Sequence, residues 1–462
     1  MLVAGAALAD PPGTLPVPRD GPVPPTVRSV IPRGEAAVRA LPERHSPQVG
    51  VVGAVAFPFL AVSPAGSGCS RWWFQLGEGR WLCGSEVLLS TDPAPTPPSL
   101  VAHPLRWRYG VTLRPAQVFA SAADARAGRA LETWAPWQGF VVRSVHRDGG
   151  VAVTETAAGQ FLLRRDVQGV HPSGFHGRTG EDLHRDAPEA LAAWVLVGRA
   201  TSYGTPEEAA LGRGEGPRLA HLEALRVLER RTVARRDVVR IDGGRWVRAA
   251  ALRVFTPSPA PPGVDLAARQ RWIDVDLDQQ VIAAFEGERL VYVTLTSTGS
   301  PEAETPPGVY NIRSRHLARD MGFRAGHGHL LARVPYTQFF DDDGRALHGV
   351  YWHDGFGQPR SHGCINLSFT DAAWFFAFTG SLPDGWRAVL LAPGEGTVLR
   401  VRGRTPLGSS SHQRRVEAPT AEAPSPVPRH RHHRHHGRHG RHHHRHHHRH
   451  HPRHHRHHGG QP

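Results

Sequence analysis

The chain has 462 residues, more than one typical domain, with 55 Lys+Arg against 41 Asp+Glu. Every basic residue is arginine, which excludes Schiff-base chemistry on a lysine amine. Nine arginines and no acid follow Pro428, so the formal charge of +14 leaves only +5 for the rest and lends little support to nucleic-acid binding.

Met1 to Ala9 is apolar and closes on Ala7-Leu8-Ala9, like the end of a secretory signal with an A-x-A cleavage site. Its basic n-region is missing, so an unstructured small-residue start is the alternative. The expectation is an exported protein of the periplasm or cell wall, and no later run is apolar and long enough to span a bilayer. Residues 10–34 are rich in Pro and Gly and read as a linker. Over 35–95, short strands such as Ala37-Val38-Arg39 and Trp72 to Gln75 alternate with turns, predicting a small β-barrel. Cys69 and Cys83 bracket the Trp72-Trp73 strand. In an exported chain they pair as a disulfide closing a loop of about fifteen residues, worth about 3 kcal/mol; in the cytoplasm they stay free thiols.

Residues 100–255 alternate again as further β units, with a hairpin at Asp148-Gly149-Gly150 and a turn at Asp242-Gly243-Gly244. Arg245-Trp246-Val247 echoes Arg80-Trp81-Leu82 as a weak internal repeat. The Trp and Tyr residues of these units either stack on sugars or pack their own cores; the sequence leaves both open. Residues 256–268 form a Pro-rich hinge. From Arg271, period-2 alternation sets Ile273, Val275 and Leu277 against Asp274, Asp276 and Asp278, predicting a strand with a solvated acidic face. Asp341-Asp342-Asp343-Gly344 reads as a turn, Asp371 to Thr379 as a helix, and Arg387 to Leu391 and Thr397 to Val401 as closing strands of a unit spanning 270–402.

The densest chemistry lies between His348 and Leu367, which holds His348, His353, His362 and the odd cysteine, Cys364. A lone cysteine near histidine is a nucleophile candidate, since imidazole can accept the thiol proton. A zinc site from the same four side chains has suitable ligand types, but the spacing matches no common ligand pair. A buried inert cysteine is the third alternative.

His348-Gly349, a sixteen-residue step, and Ser361-His362-Gly363-Cys364-Ile365-Asn366-Leu367 resemble the signature of the YkuD family, the L,D-transpeptidases of bacterial peptidoglycan. Trp272 to Gln280, Thr298-Gly299 and Thr305-Pro306-Pro307-Gly308-Val309-Tyr310 extend the resemblance upstream. The barrel at 35–95 is similar to bacterial SH3-like domains. The resemblance implies a mainly β, multidomain protein: SH3-like units, a YkuD-type catalytic domain and a disordered tail over 403–462.

It further implies Cys364 as nucleophile and His348 as general base, with the Gly349 carbonyl orienting the imidazole. His353, with Asp354 beside it, is the rival base. Ser361 and His362 would shape the pocket, Gly363 and Cys364 N–H groups would form the oxyanion hole, and Asn366 would hold the turn. The thiolate would attack the L-centre carbonyl of the third stem-peptide residue, release D-Ala and pass the acyl group to an amine, without a cofactor. Water as acceptor would give an L,D-carboxypeptidase, and a protein amine would give wall attachment; a non-catalytic wall-binding scaffold is the rival from another class. The tail from Arg429 to His458 is almost wholly His, Arg and Gly, a composition that binds divalent metal or anionic wall polymers.

Overall fold

The computed structural model describes residues 14–18, 21–64, 68–95, 107–322 and 330–406. The signal-like residues 1–9 and the His/Arg tail lie outside them. The fold is mainly β, with four short α-helices among the described residues. No described helix is long and apolar enough to cross a membrane.

The segment from Arg271 to Arg402 combines two sheets around one helix. In the first, Arg271–Asp276, Val281–Glu286 and Arg289–Leu295 form an antiparallel meander, turning at Gly287 with φ +60°. Val398–Arg402 joins Arg271–Asp276 in parallel. This pairing sets Asp274 opposite Arg400 and Asp276 opposite Arg402. Both carboxylates are buried, and Asp274 receives Nε–H of Arg400 at 2.7 Å and of Arg402 at 2.9 Å. The expected solvated face is therefore a buried ion-pair layer. Alternation within one strand does not reveal the charges on its neighbour, and two desolvated carboxylates persist only when paired.

In the second sheet, Ser314–Gly322 pairs with Leu330–Phe339, whose Gln338-Phe339 end pairs with Ala346–Gly349. Ile365–Leu367 then runs parallel to Ala346–Gly349. The helix Phe369–Phe378 is N-capped by Ser368 and buries Ala372, Phe375, Phe376 and Phe378. Its Asp371, fully buried, accepts from Tyr292 Oη at 2.7 Å, Thr294 Oγ1 at 2.8 Å and Gly177 N at 2.9 Å. One carboxylate thus bolts helix, first sheet and an upstream loop together.

The upstream units pack against this segment instead of trailing from it. Within the expected linker, Thr14–Pro16 and Ser29–Pro32 are strands on either side of Val87–Ser90, and Val17, Val27 and Val30 enter the main core. Alternating valines between prolines carry enough apolar surface to anchor such strands, which the Pro and Gly count concealed. The expected hinge is likewise fastened: Arg402 donates to Thr256 O at 2.9 Å, and Ala260 and Val264 pack on a core cluster. A disulfide joins Cys69 to Cys83 beside Trp73 and Trp81.

The tightest seam joins Gln48–Val52 to Trp386–Leu390, antiparallel, with Gly50 opposite Val389. A Cβ at Gly50 would stand 2.2 Å from Trp386 Cζ3 and 2.6 Å from Ala388 O, so only glycine admits this approach. Gly50→Val is expected to cost about 1–3 kcal/mol by overpacking, read as a lower urea midpoint. Gly169→Ala, where a Cβ would meet nothing within 4 Å, should leave the midpoint nearly unchanged.

Candidate active site

The parallel pairing of Ala346–Gly349 with Ile365–Leu367 sets His348 opposite Asn366. Extending that register places Cys364 beside Ala346, on the face that His348 and Asn366 share. On its other side, Asn366 exchanges both backbone hydrogen bonds with Ser297, at 2.9 and 3.0 Å. The nucleophile candidate therefore sits at the mouth of a three-residue strand gripped from both flanks.

The turn before it is closed by Ser361. Its Oγ donates to Cys364 O at 2.6 Å and accepts Gly363 N–H at 3.1 Å. Gly363 has φ +106°, a conformation suited to glycine. Its N–H, expected to face an oxyanion, donates to Ser361 Oγ. Cys364 N–H has no acceptor among the described residues. Ser361, not Asn366, holds the turn by side-chain bonds. His362 is exposed beside the opening.

The two candidate bases are now distinguishable. His348 is buried, its Nδ1 lies 3.1 Å from Gly349 O, and that carbonyl can only accept. The proton is therefore on Nδ1, leaving Nε2 with a free lone pair. His353 is committed elsewhere: its Nδ1 accepts Gly355 N–H at 3.2 Å, which puts its proton on Nε2, 3.0 Å from the Asn366 amide. The amide orientation that turns Oδ1 toward this proton gives a partner to the buried oxygen that otherwise lacks one. Asp354 is exposed and does not orient His353. Asn366 thus acts as a spacer that fixes His353, a role its backbone-binding expectation missed.

Several supports were not read as site residues. Thr305 Oγ1 donates to Gly363 O at 3.0 Å and accepts Gly299 N–H at 2.9 Å. Thr298 O receives the N–H groups of Arg360 and Ser361, while Gln280 brackets Thr298 with both ends of its amide. Arg345 packs on Gly363 and is held by Asp341 at 2.7 Å and Asp343 at 2.9 Å. Thr298-Gly299 and Thr305-Pro306 stood out in the sequence, but nothing there says what they grip.

Upstream units supply the outer wall. Tyr109 stacks on Tyr351 with centroids 4.0 Å apart, and Phe175 on Phe356 at 5.4 Å. Arg253 donates to Gly357 O at 3.1 Å. Trp352 lies 5.9 Å from the His348 ring.

The site is dry. Burial lowers His348 to about 4 and His353 to about 3, so both are neutral near pH 7. Burial raises the Cys364 thiol to about 11, only partly offset by Ala346 N–H and the Arg345 cation. Both shifts favour the neutral forms, thiol on Cys364 and imidazole on His348. Among the described residues, no group of three or more His, Cys, Asp or Glu is set to hold a metal ion.

Residues 270–397 match the family model YkuD, the L,D-transpeptidase catalytic domain. The chain is similar to solved structures with the same description. A mutant of the Enterococcus faecium L,D-transpeptidase is 21% identical, over 29% of this chain and 50% of that one, with TM-score 0.24. For L,D-transpeptidase 1 of Mycobacterium tuberculosis the values are 20%, 29%, 62% and 0.22. For the Mycobacterium smegmatis L,D-transpeptidase they are 17%, 57%, 98% and 0.25. The chain spans half the length of the first of these. Comparison with curated proteins gives no match.

Two outcomes follow from the geometry. Iodoacetamide alkylation of Cys364 should climb about tenfold per pH unit from 7 and bend only near 11; a plateau through pH 5–8 would reveal a preformed thiolate–imidazolium pair instead. Thr305→Val should leave Gly363 O and Gly299 N–H unpaired, costing about 1–3 kcal/mol in urea unfolding and slowing alkylation of Cys364 by a large amide electrophile.

Proposed function

We propose that this chain, whose residues 270–397 are an L,D-transpeptidase-type catalytic domain, is an exported peptidoglycan L,D-transpeptidase with Cys364 as nucleophile and His348 as general base. The observation that carries the reading is the Nδ1 proton of His348 held on Gly349 O, on the strand adjoining Cys364. That arrangement does for the imidazole what a carboxylate does in a Ser-His-Asp triad: it fixes the tautomer and the ring plane.

In this reading the scissile carbonyl of the third stem residue enters over Cys364, with its oxygen toward the Cys364 N–H. Sγ attacks the carbon as His348 Nε2 takes the thiol proton, and the carbonyl electron pair moves onto oxygen. Collapse breaks the C–N bond, and His348 returns its proton to the departing D-Ala amine, leaving a thioester. The amine of a second stem then attacks, gives up a proton to His348 and restores Sγ as the leaving group. The acyl bond changes partner twice, with no net redox change. A neutral starting pair suits this cycle, because charge separation is confined to the transition state, where the donor at Cys364 N–H counters it. The upstream units serve as wall-facing supports of the same site.

Incubation of the purified protein with disaccharide-tetrapeptide fragments, followed by mass analysis, tests the proposal. Crosslinked dimers with loss of D-Ala are expected, and Cys364→Ala should abolish them. His348→Gln should lower kcat by at least about 100-fold, in line with the loss of a general base. Shortened monomers without dimers would make the enzyme a carboxypeptidase. Unchanged substrate would leave a wall-binding scaffold.

A further inference from the structure

Away from Cys364, the seam between the first β unit and the sheet of Ser314–Gly322 holds a half-open cavity of about 220 Å³. It is lined by Glu35 and Val51 on one side and by His316, Arg319, Asp320, Arg333 and Arg387 on the other. We propose that this cavity is a binding site for one oxyanionic group, a phosphate or a carboxylate, which bridges the two units.

Charge is the first argument. Three guanidinium groups meet two carboxylates, which leaves one net positive charge, and each carboxylate has a partner in Arg333. Glu35 pairs with Arg333 Nη1 at 2.9 Å, and Asp320 Oδ1 accepts the backbone N–H of Arg333 at 2.7 Å. Neither Arg319 nor Arg387 has an acidic partner among the described residues. Their strands are neighbours, since Ser314–Gly322 pairs with Trp386–Leu390 through His316 opposite Ala388. Uncompensated like charges on adjoining strands repel, and an anion between them converts that cost into charge-assisted hydrogen bonds.

Placement is the second. Arg387 is half-buried, and a Cβ on Gly53 would come within 2.6 Å of its Nε, so the seam itself holds the side chain in the cavity wall. Arg333 adopts φ +50°, unusual for a non-glycine residue, and its carbonyl takes Tyr109 Oη–H at 3.0 Å. The backbone that presents Arg333 is thereby fixed from a second upstream unit. His316 adds a group that responds to an anion: burial and the Arg319 cation lower it to about 4, and Glu35 opposes them. The volume is below the usual range of drug-sized pockets, which is about 300–1,000 Å³. It suits a single anionic group with a few waters, not a whole sugar unit.

The chemistry is shared by two sources in a bacterial wall: the phosphodiester of an anionic polymer and the free carboxylate of a peptide stem. Full-length protein is titrated at constant ionic strength with inorganic phosphate, with glycerophosphodiester and with N-acetyl-D-alanine, using chloride as reference. Binding is read from the thermal midpoint and from the His316 ring resonances. Saturable binding is expected, with Arg319→Gln, Arg387→Gln and their combination each weakening it by about 10- to 100-fold. The tail is common to all these proteins, so its own anion affinity cancels in the comparison. Arg185→Gln, an exposed arginine remote in sequence, should bind like the parent. A stronger response to the phosphodiester names the polymer as source, and a stronger response to N-acetyl-D-alanine names the stem; either supports the site. Equal binding by parent and both single variants, or no shift of His316 at saturation, would overturn it. The outcome is independent of whether Cys364 forms an acyl-enzyme.

Discussion

A strand of three residues cannot hold its own place, yet the geometry around Cys364 depends on one. Ile365–Leu367 is fixed because it has a partner on each side: Ala346–Gly349 in parallel and Ser297 through a bridge. The first neighbour carries His348 and the second leads into Thr298 and Thr305, which grip the turn in front of Cys364. Backbone hydrogen bonds are thus the positioning device, and side chains only trim it. This explains why Asp371 is buried under the site with three donors on its carboxylate, while its own N–H donates to Ser368 Oγ at 3.1 Å. It anchors the floor on which the short strand rests.

Desolvation has opposite consequences for the two reacting groups, and they reinforce each other. It keeps the imidazole unprotonated, hence a base, and it keeps the thiol protonated, hence inert toward adventitious electrophiles. A carboxylate behind His348 would favour the imidazolium and with it a standing thiolate. The Gly349 carbonyl, a neutral dipole, orients the ring without that bias.

The sequence made the core chemistry legible because it is written locally. Cys364, His348, Gly349 and Ser361 lie within seventeen residues, and a lone cysteine with histidines is a strong chemical signal. The mainly β architecture was legible from alternation. What stayed hidden was relational. Asp274 read as solvated because its arginine partners come from Arg400 and Arg402, more than a hundred residues on. Gly363 read as an oxyanion donor because nothing in one dimension shows that Ser361 Oγ has already taken its N–H. His353 and Asn366 looked like separate contributors, whereas each uses up the other's hydrogen-bonding capacity.

The loop from Val350 to Arg360, which links the His348 strand to the turn before Cys364, is poor in self-supporting structure: it has two glycines, a proline and no helix or strand. Its order has to be imposed from outside. Tyr109 and Gly139 meet Tyr351 from one upstream unit. Phe175 stacks on Phe356, while Leu196 and Arg253 close on Gly357 from another stretch. From below, Ser297 Oγ donates to Gln358 O and Thr296 O accepts Gly357 N–H. A loop held on three sides pays its ordering entropy once, at folding, and not again at each encounter with substrate. The upstream β units are then part of the catalytic geometry, whatever else their surfaces bind. That also accounts for the sheet being continuous across the seam at Gly50 and Trp386: a flexible joint there would return to the active-site loop the freedom that the outer wall removes.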